Sequence, residues 1–299
     1  MEITENFSFT YDVFKKYIRN LSVEYPKLQV ASCGKSLLDR DITALVAGSG
    51  ERNVLYVGGT HGMEWLTSLL LLKFLKNLME AQKNNDELYG YNVRELLENC
   101  RLIVIPELNP DGIEIAQKGS SACGKYKGAN YSLCNGDFSK WSANARGVDI
   151  NHNFNADWYS LRKREKESGI TGPSPRRFGG FFPESEPETQ AVCRICRNVN
   201  IETLISFHSQ GEEIFYEYGE NTPKKSLNMA KIFSAVTDYT LVKNEGLASS
   251  GGLKDWFIEE FRRPGFTVEA GKGENPLPVS QLDEIYSSVE GLMVLGLFI

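Results

Sequence analysis

Apolar positions along this chain alternate between a helical spacing and short unbroken runs. Phe14, Ile18 and Leu21 recur three and four residues apart within Tyr11–Tyr25, which predicts an amphipathic helix. Runs at Leu28–Ser32 and Asp41–Val46 follow, and then Val54-Leu55-Tyr56-Val57 within Asn53–Gly58. Their length and content read as strands, the last one buried. Helical spacing returns over Leu66–Met79, so a helix is expected across Glu64–Met79, continued by a polar helical stretch to Asn99 before a strand at Arg101–Pro106. Strand and helix alternate, which argues for an α/β layered domain with a parallel or mixed sheet.

The second half repeats the alternation with longer interruptions. Asn109-Pro110-Asp111-Gly112 reads as a turn ending the preceding strand. Gln117–Trp141, rich in Gly, Ser, Asn and Lys, reads as a long loop. A second basic loop, Arg162–Phe182, carries Arg176 and Arg177. Long loops in compact domains tend to be functional or disordered, so these two either rim an active site or are plain solvated segments. A helix is expected at Ser185–Val199, with Pro187 in its first turn beside Glu186 and Glu188. Then come strands Thr203–Phe207 and Ile214–Tyr218, helices Lys224–Val236 and Gly252–Phe261, strand Gly265–Glu269 and a final helix Ser280–Gly291. No internal repeat breaks the series, and a length of 299 residues admits one large domain or two small ones.

Composition narrows the partners more than the fold. A net charge of -6 offers no basic excess for nucleic acid. The absence of any run of 18 apolar residues excludes a membrane span. Met1-Glu2-Ile3-Thr4-Glu5 has neither a basic nor an apolar leader segment, so the expected location is the cytoplasm. Six cysteines at irregular spacing do not make a disulfide scaffold. Cys193 and Cys196 form a CxxC inside a predicted helix, where reduced thiols are expected; Cys123 and Cys134 flank a loop and are either a bridge or two free thiols.

Only three histidines are present, and each falls in a stretch that carries chemistry. His61 and Glu64 lie three apart where a strand meets a helix, so their side chains can converge on one point. Zinc takes imidazole nitrogen and carboxylate oxygen, and a catalytic site commonly has three protein ligands. Leu204-Ile205-Ser206-Phe207 delivers His208 at the carboxyl end of a strand, where open α/β sheets place ligand sites. His208 is therefore the expected third ligand. Glu269 ends another apolar strand in the same way, and a carboxylate there either exchanges protons beside a metal or is a salt-bridge partner.

Taken together, these stretches make the chain resemble a zinc metallocarboxypeptidase of the carboxypeptidase A type. His61-Gly62-Met63-Glu64-Trp65 is similar to the family's HxxEW segment, Asn109–Gly112 to its NPDG turn, and Gly147-Val148-Asp149-Ile150-Asn151-His152-Asn153-Phe154 to its GVDxNRNF segment. Phe207-His208-Ser209, Tyr216-Glu217-Tyr218-Gly219, Gly251-Gly252-Leu253-Lys254-Asp255-Trp256 and Thr267-Val268-Glu269 follow in family order. The resemblance implies one α/β domain over the whole chain with a mixed sheet of about eight strands flanked by helices. It implies one zinc held by His61, Glu64 and His208, Glu269 as general base and acid, and Asn151 and Ser209 on the substrate side.

Departures from the pattern bear on substrate. His152 stands where the family carries an Arg that grips a terminal carboxylate, and a neutral ring is a weaker clamp than a guanidinium. Ser142 follows Trp141 where an oxyanion-stabilising Arg is usual, with Lys140 and Arg146 as possible replacements, and Leu247 takes the place of a closing Tyr. Lys254, at the variable base of the specificity pocket, favours a substrate side chain ending in a carboxylate, or else is a solvated helix lysine. The tail Gly271-Lys272-Gly273-Glu274-Asn275-Pro276 resembles the bacterial branch that cleaves γ-D-glutamyl-meso-diaminopimelate bonds in murein peptides. The expected substrate is thus a small peptide of that kind. The alternatives are a conventional carboxypeptidase for acidic C-termini, a non-catalytic zinc-dependent peptide binder, and, more remotely, an N-acyl amino-acid deacylase.

Overall fold

A computed structural model describes residues 8–243 and 250–299. In chain order its elements are α1 (Tyr11–Glu24), β1 (Gln29–Lys35), β2 (Asp41–Ala47), β3 (Arg52–Val57), α2 (Leu66–Asn84), β4 (Glu87–Leu88), β5 (Tyr91–Asn92), α3 (Val93–Asn99), β6 (Cys100–Ile105) and α4 (Pro110–Lys118). There follow α5 (Lys127–Cys134), α6 (Trp158–Glu167), α7 (Pro187–Asn198), β7 (Ile201–His208), β8 (Glu213–Phe215), α8 (Lys224–Thr237), β9 (Thr240–Val242), α9 (Leu253–Phe261), β10 (Gly265–Glu269) and α10 (Leu282–Leu295).

Eight strands form one mixed sheet in the order β1-β2-β6-β3-β7-β10-β8-β9, as expected, and β4-β5 make a small hairpin. Central strands are apolar without interruption because both faces are covered. Along β3, Val54 and Tyr56 join the core beneath α2, α8 and α10, while Leu55 and Val57 join the core beneath α7 and α9. The same alternation sends Ile205 and Phe207 of β7 to the first core and Leu204 to the second. β6, β3, β7 and β10 run parallel to their neighbours in that series. Their carboxyl ends therefore share one rim, and the chains leaving β3, β7 and β10 carry His61, His208 and Glu269.

Several local expectations change. The polar stretch before Asn99 is not one helix: α2 stops at a left-handed Asn85, and the β4-β5 hairpin turns through Tyr89 and Gly90, both at positive φ, before α3. Asn109–Gly112 opens α4 rather than merely ending a strand, since Asn109 caps the helix by accepting from the Gly112 N–H at 2.8 Å and Pro110 takes the first turn. Gln117–Trp141 contains two 3-10 turns and α5, so it is not a structureless loop. Cys123 and Cys134 are free thiols. Cys193 and Cys196 lie on the buried side of α7, where burial pushes both thiols far above their usual pKa, so thiolate chemistry is suppressed. No helix among the described residues is long and apolar enough to cross a membrane.

Candidate active site

The turn that carries His61 is held by backbone packing that leaves no room for side chains. Gly62 donates its N–H to the Ser142 carbonyl at 3.0 Å, and a Cβ there would lie 2.3 Å from the Gly112 carbonyl oxygen. Asn109, besides capping α4, donates from Nδ2 to the carbonyls of Thr60 and Ala143, each at 3.1 Å. The Asn-Pro-Asp-Gly segment thus ties the His61 turn to the 142–143 strand of loop. Glu64 closes a 3-10 turn, Gly62–Glu64, immediately ahead of α2, and so faces the same point as His61.

Three electron-pair donors converge there. His61 Nδ1 lies 2.8 Å from Glu64 Oε1, His208 Nδ1 lies 3.0 Å from Glu64 Oε2, and the two Nδ1 atoms are 3.3 Å apart. One ligand atom from each residue falls within 4.8 Å of the others. His61 Nε2 is 3.1 Å from Asp149 Oδ1. A proton on that nitrogen turns the Nδ1 lone pair toward Glu64 and His208, which is how a second carboxylate orients a metal-binding imidazole. The donor set fits a zinc site. Burial would raise the Glu64 carboxyl, but His61 and His208 hold it down to about 2. Burial would likewise raise Asp149, yet the His61 and His152 rings and the Arg177 amide hold it well below the usual carboxylate range.

Glu269 arrives from β10, in register with His208 on β7. Burial, reinforced by the neighbouring Glu64 carboxylate, pushes its pKa well above the usual value. Glu269 and Glu64 open onto a cavity of about 270 Å³ also lined by Asn151, His152 and Lys254. Asn151 accepts from the Leu253 N–H through Oδ1 at 3.0 Å, joining it to the start of α9. His152 Nδ1 meets the buried Glu165 carboxylate at 2.8 Å, and burial pulls its pKa down, leaving the ring neutral. Lys254 is not solvated: it is 4% exposed and donates to Asp255 Oδ1 at 2.5 Å and to the Glu217 carbonyl at 2.8 Å.

Other residues nominated from sequence lie further out. Ser209 donates its N–H to Glu64 Oε2 at 3.3 Å and its hydroxyl to Asn275 Oδ1 at 2.8 Å, so its amide helps hold the Glu64 carboxylate in place. Arg146 is engaged by Glu186 at 2.7 Å and 2.9 Å, and Lys140 pairs with Glu274. Leu247 falls outside the described residues. Sequence reasoning did not single out Asp149 or Glu165. Asp149 lies within Gly147–Phe154, where a carboxylate two residues before Asn151 is the only signal; Glu165 lies on α6 with no local mark. Arg176 and Arg177 line the cavity, so the 168–182 segment does rim the site.

The chain is also similar to known proteins. A family model described as zinc carboxypeptidase matches residues 14–289. Gamma-D-glutamyl-L-diamino acid endopeptidase 1 of Lysinibacillus sphaericus is 33% identical over 294 residues, covering 98% of this chain and 73% of its own. Bovine thrombin-activatable fibrinolysis inhibitor superposes with a TM-score of 0.73 at 20% identity, covering 97% of this chain and 96% of that one. Murein-tripeptide amidase from Escherichia coli O157 does so with a TM-score of 0.55 at 21% identity, over 89% and 91% of the two chains. The two structural likenesses speak for the fold.

Proposed function

The chain belongs to the zinc carboxypeptidase family and is a metallopeptidase, and from that premise we propose that it hydrolyses the γ-D-glutamyl-meso-diaminopimelate bond of small murein peptides. The observation that carries the reading is the base of the cavity, where the Lys254 ammonium and the Asp255 carboxylate stand side by side. Diaminopimelate ends in a second amino-acid centre, with one carboxylate and one ammonium. A paired cation and anion match that zwitterion charge for charge, whereas an aliphatic side chain would gain a contact from neither and a singly charged one from only one of the two. The likeness to an endopeptidase named for a γ-D-glutamyl-diamino acid bond supports the same choice.

One zinc per chain, held by His61, Glu64 and His208, would supply a Lewis acid that polarises the scissile carbonyl and acidifies water. Glu269 takes the proton from the attacking water and returns it to the leaving amine nitrogen. Burial raises its pKa above the usual glutamate value, which favours its taking up that proton. Asn151 orients the released residue from the wall, and Asp149 keeps His61 turned toward the metal. The six free thiols suit a reducing compartment such as the cytoplasm.

Incubating the zinc-loaded protein with L-Ala-γ-D-Glu-meso-diaminopimelate is expected to release diaminopimelate, detected chromatographically. Release of C-terminal glutamate from ordinary peptides with no attack on the tripeptide would instead favour a carboxypeptidase for acidic termini, the reading that Lys254 alone would support.

A further inference from the structure

The cavity holds more positive charge than the reaction described so far uses. Lys254 is committed to Asp255 and the Glu217 carbonyl. Arg176 and Arg177 also line it, both are exposed, and among the described residues neither guanidinium has a hydrogen-bond or ion-pair partner. Two adjacent arginines without a carboxylate partner, in a cavity where Glu64 faces His61 and His208, Asp149 faces His61 and Asp255 faces Lys254, form an unmatched cationic patch.

Their backbone, by contrast, is fixed on both sides. The Pro175 carbonyl accepts from the N–H groups of Ser142 and Ala143, each at 2.9 Å. The Arg177 N–H donates to Asp149 Oδ2 at 2.7 Å, and the Asp149 N–H donates to the Phe178 carbonyl at 2.7 Å. Phe178 is fully buried, with the Arg162 guanidinium 4.5 Å above its ring. Arg177 is moreover held at φ +67°, a left-handed conformation that glycine would occupy without strain. An arginine kept at such a position, anchored through its amide to the carboxylate that orients His61, lines the same cavity as Asn151 and His152. Its charge is close enough to His152 to oppose a proton on that ring.

We propose that Arg176 and Arg177 form the anion-recognition element of this cavity, gripping the substrate carboxylate that lies beside Asn151 and His152 on the released residue. The pair rests on the hydrolytic reading above and deepens it by naming what the wall binds. A guanidinium meets a carboxylate through two parallel N–H donors, which a neutral His152 with its Nδ1 committed to Glu165 does not offer. Loop 168–182 therefore brings from a distance in sequence the charge that position 152 lacks.

The test compares the wild type with Arg176→Gln, Arg177→Gln, the double variant and Arg177→Lys, all as zinc-loaded full chains. Each is assayed on L-Ala-γ-D-Glu-meso-diaminopimelate and on the same peptide with the carboxyl nearest the scissile bond amidated. A second pair, hippuryl-L-glutamate and its α-amide, is run in parallel. The double variant is expected to lose about 10- to 100-fold in kcat/KM on the free acid, mainly through KM, with turnover of the amide changed less than about twofold on the same grounds. Arg177→Lys should recover part of the loss, because charge survives while the fork does not. Equal losses on acid and amide, or no loss, overturn the assignment. Cleavage of the hippuryl pair alone removes the murein reading, and the arginines are then judged on that pair. Cleavage of neither pair overturns both.

Discussion

At the scale of single residues, the proposed reaction divides the site into groups that touch it and groups that aim them. Asp149 belongs to the second kind: it binds His61 through one oxygen and fixes the 176–178 loop through the other. Asp149→Asn keeps the size but removes the charge that holds the imidazole tautomer, so zinc affinity is expected to fall about 10- to 100-fold. Metal retained after dialysis against a graded chelator series measures it, and unchanged retention would remove Asp149 from this role. Glu269 belongs to the first kind. Glu269→Gln should cut kcat by about 10²- to 10⁴-fold while zinc content, read by atomic absorption, stays that of the wild type. If hydrolysis persists at full rate, another group is the base.

Among elements, the contact between the His61 turn and α4 shows why glycines sit where they do. Gly112 is in the first turn of α4, where alanine would be the better helix former by about 1 kcal/mol. A Cβ there, however, would stand 2.3 Å from Asn109 Nδ2 and 2.5 Å from the Ala143 carbonyl oxygen. Neither neighbour can retreat, because Asn109 is bonded to three segments at once. Gly112→Ala is therefore expected to destabilise by about 1–3 kcal/mol net, the range of overpacking in a tight interior, as read from urea midpoints of the zinc-loaded protein; a neutral or stabilising result would mean the clamp yields. The same element explains how far the sequence could be read. Strands ending in His208 and Glu269 were legible because an apolar run followed by one polar group needs only local pattern. Asn109–Gly112 was visible as a breaker, but a helix cap and a chain terminator share that chemistry. The hairpin before α3 was hidden because Glu87, Leu88, Tyr91 and Asn92 fit a polar helix as well as two short strands. The meeting of Arg177 with Asp149, or of His152 with Glu165, leaves no periodic trace at all, since it depends on where two loops are laid down.

Across the whole molecule, buried charge makes stability depend on pH. Glu188, on α7 and fully buried, has its carboxyl pushed up to about 8 by burial, with the Asp111 carboxylate adding to it. The unfolded chain releases this proton near the ordinary glutamate value, about 4.3, while the folded one keeps it. Between those values the native state binds more protons, so raising the pH favours unfolding, and this contribution to stability is lost through that window. Glu188→Gln should flatten the fall in Tm between pH 5 and 8; an unchanged slope would place the dependence elsewhere. The sheet has a different consequence for how such a protein varies. Glu269 and His208 are opposite each other in a parallel ladder, and a slip of one residue would turn either side chain to the other face. Bond cleavage is therefore locked to strand register and tolerates no insertion there, whereas the exposed side chains of Arg176 and Arg177 can be exchanged without moving it. Lineages sharing this sheet are free to exchange what they cut while keeping how they cut it.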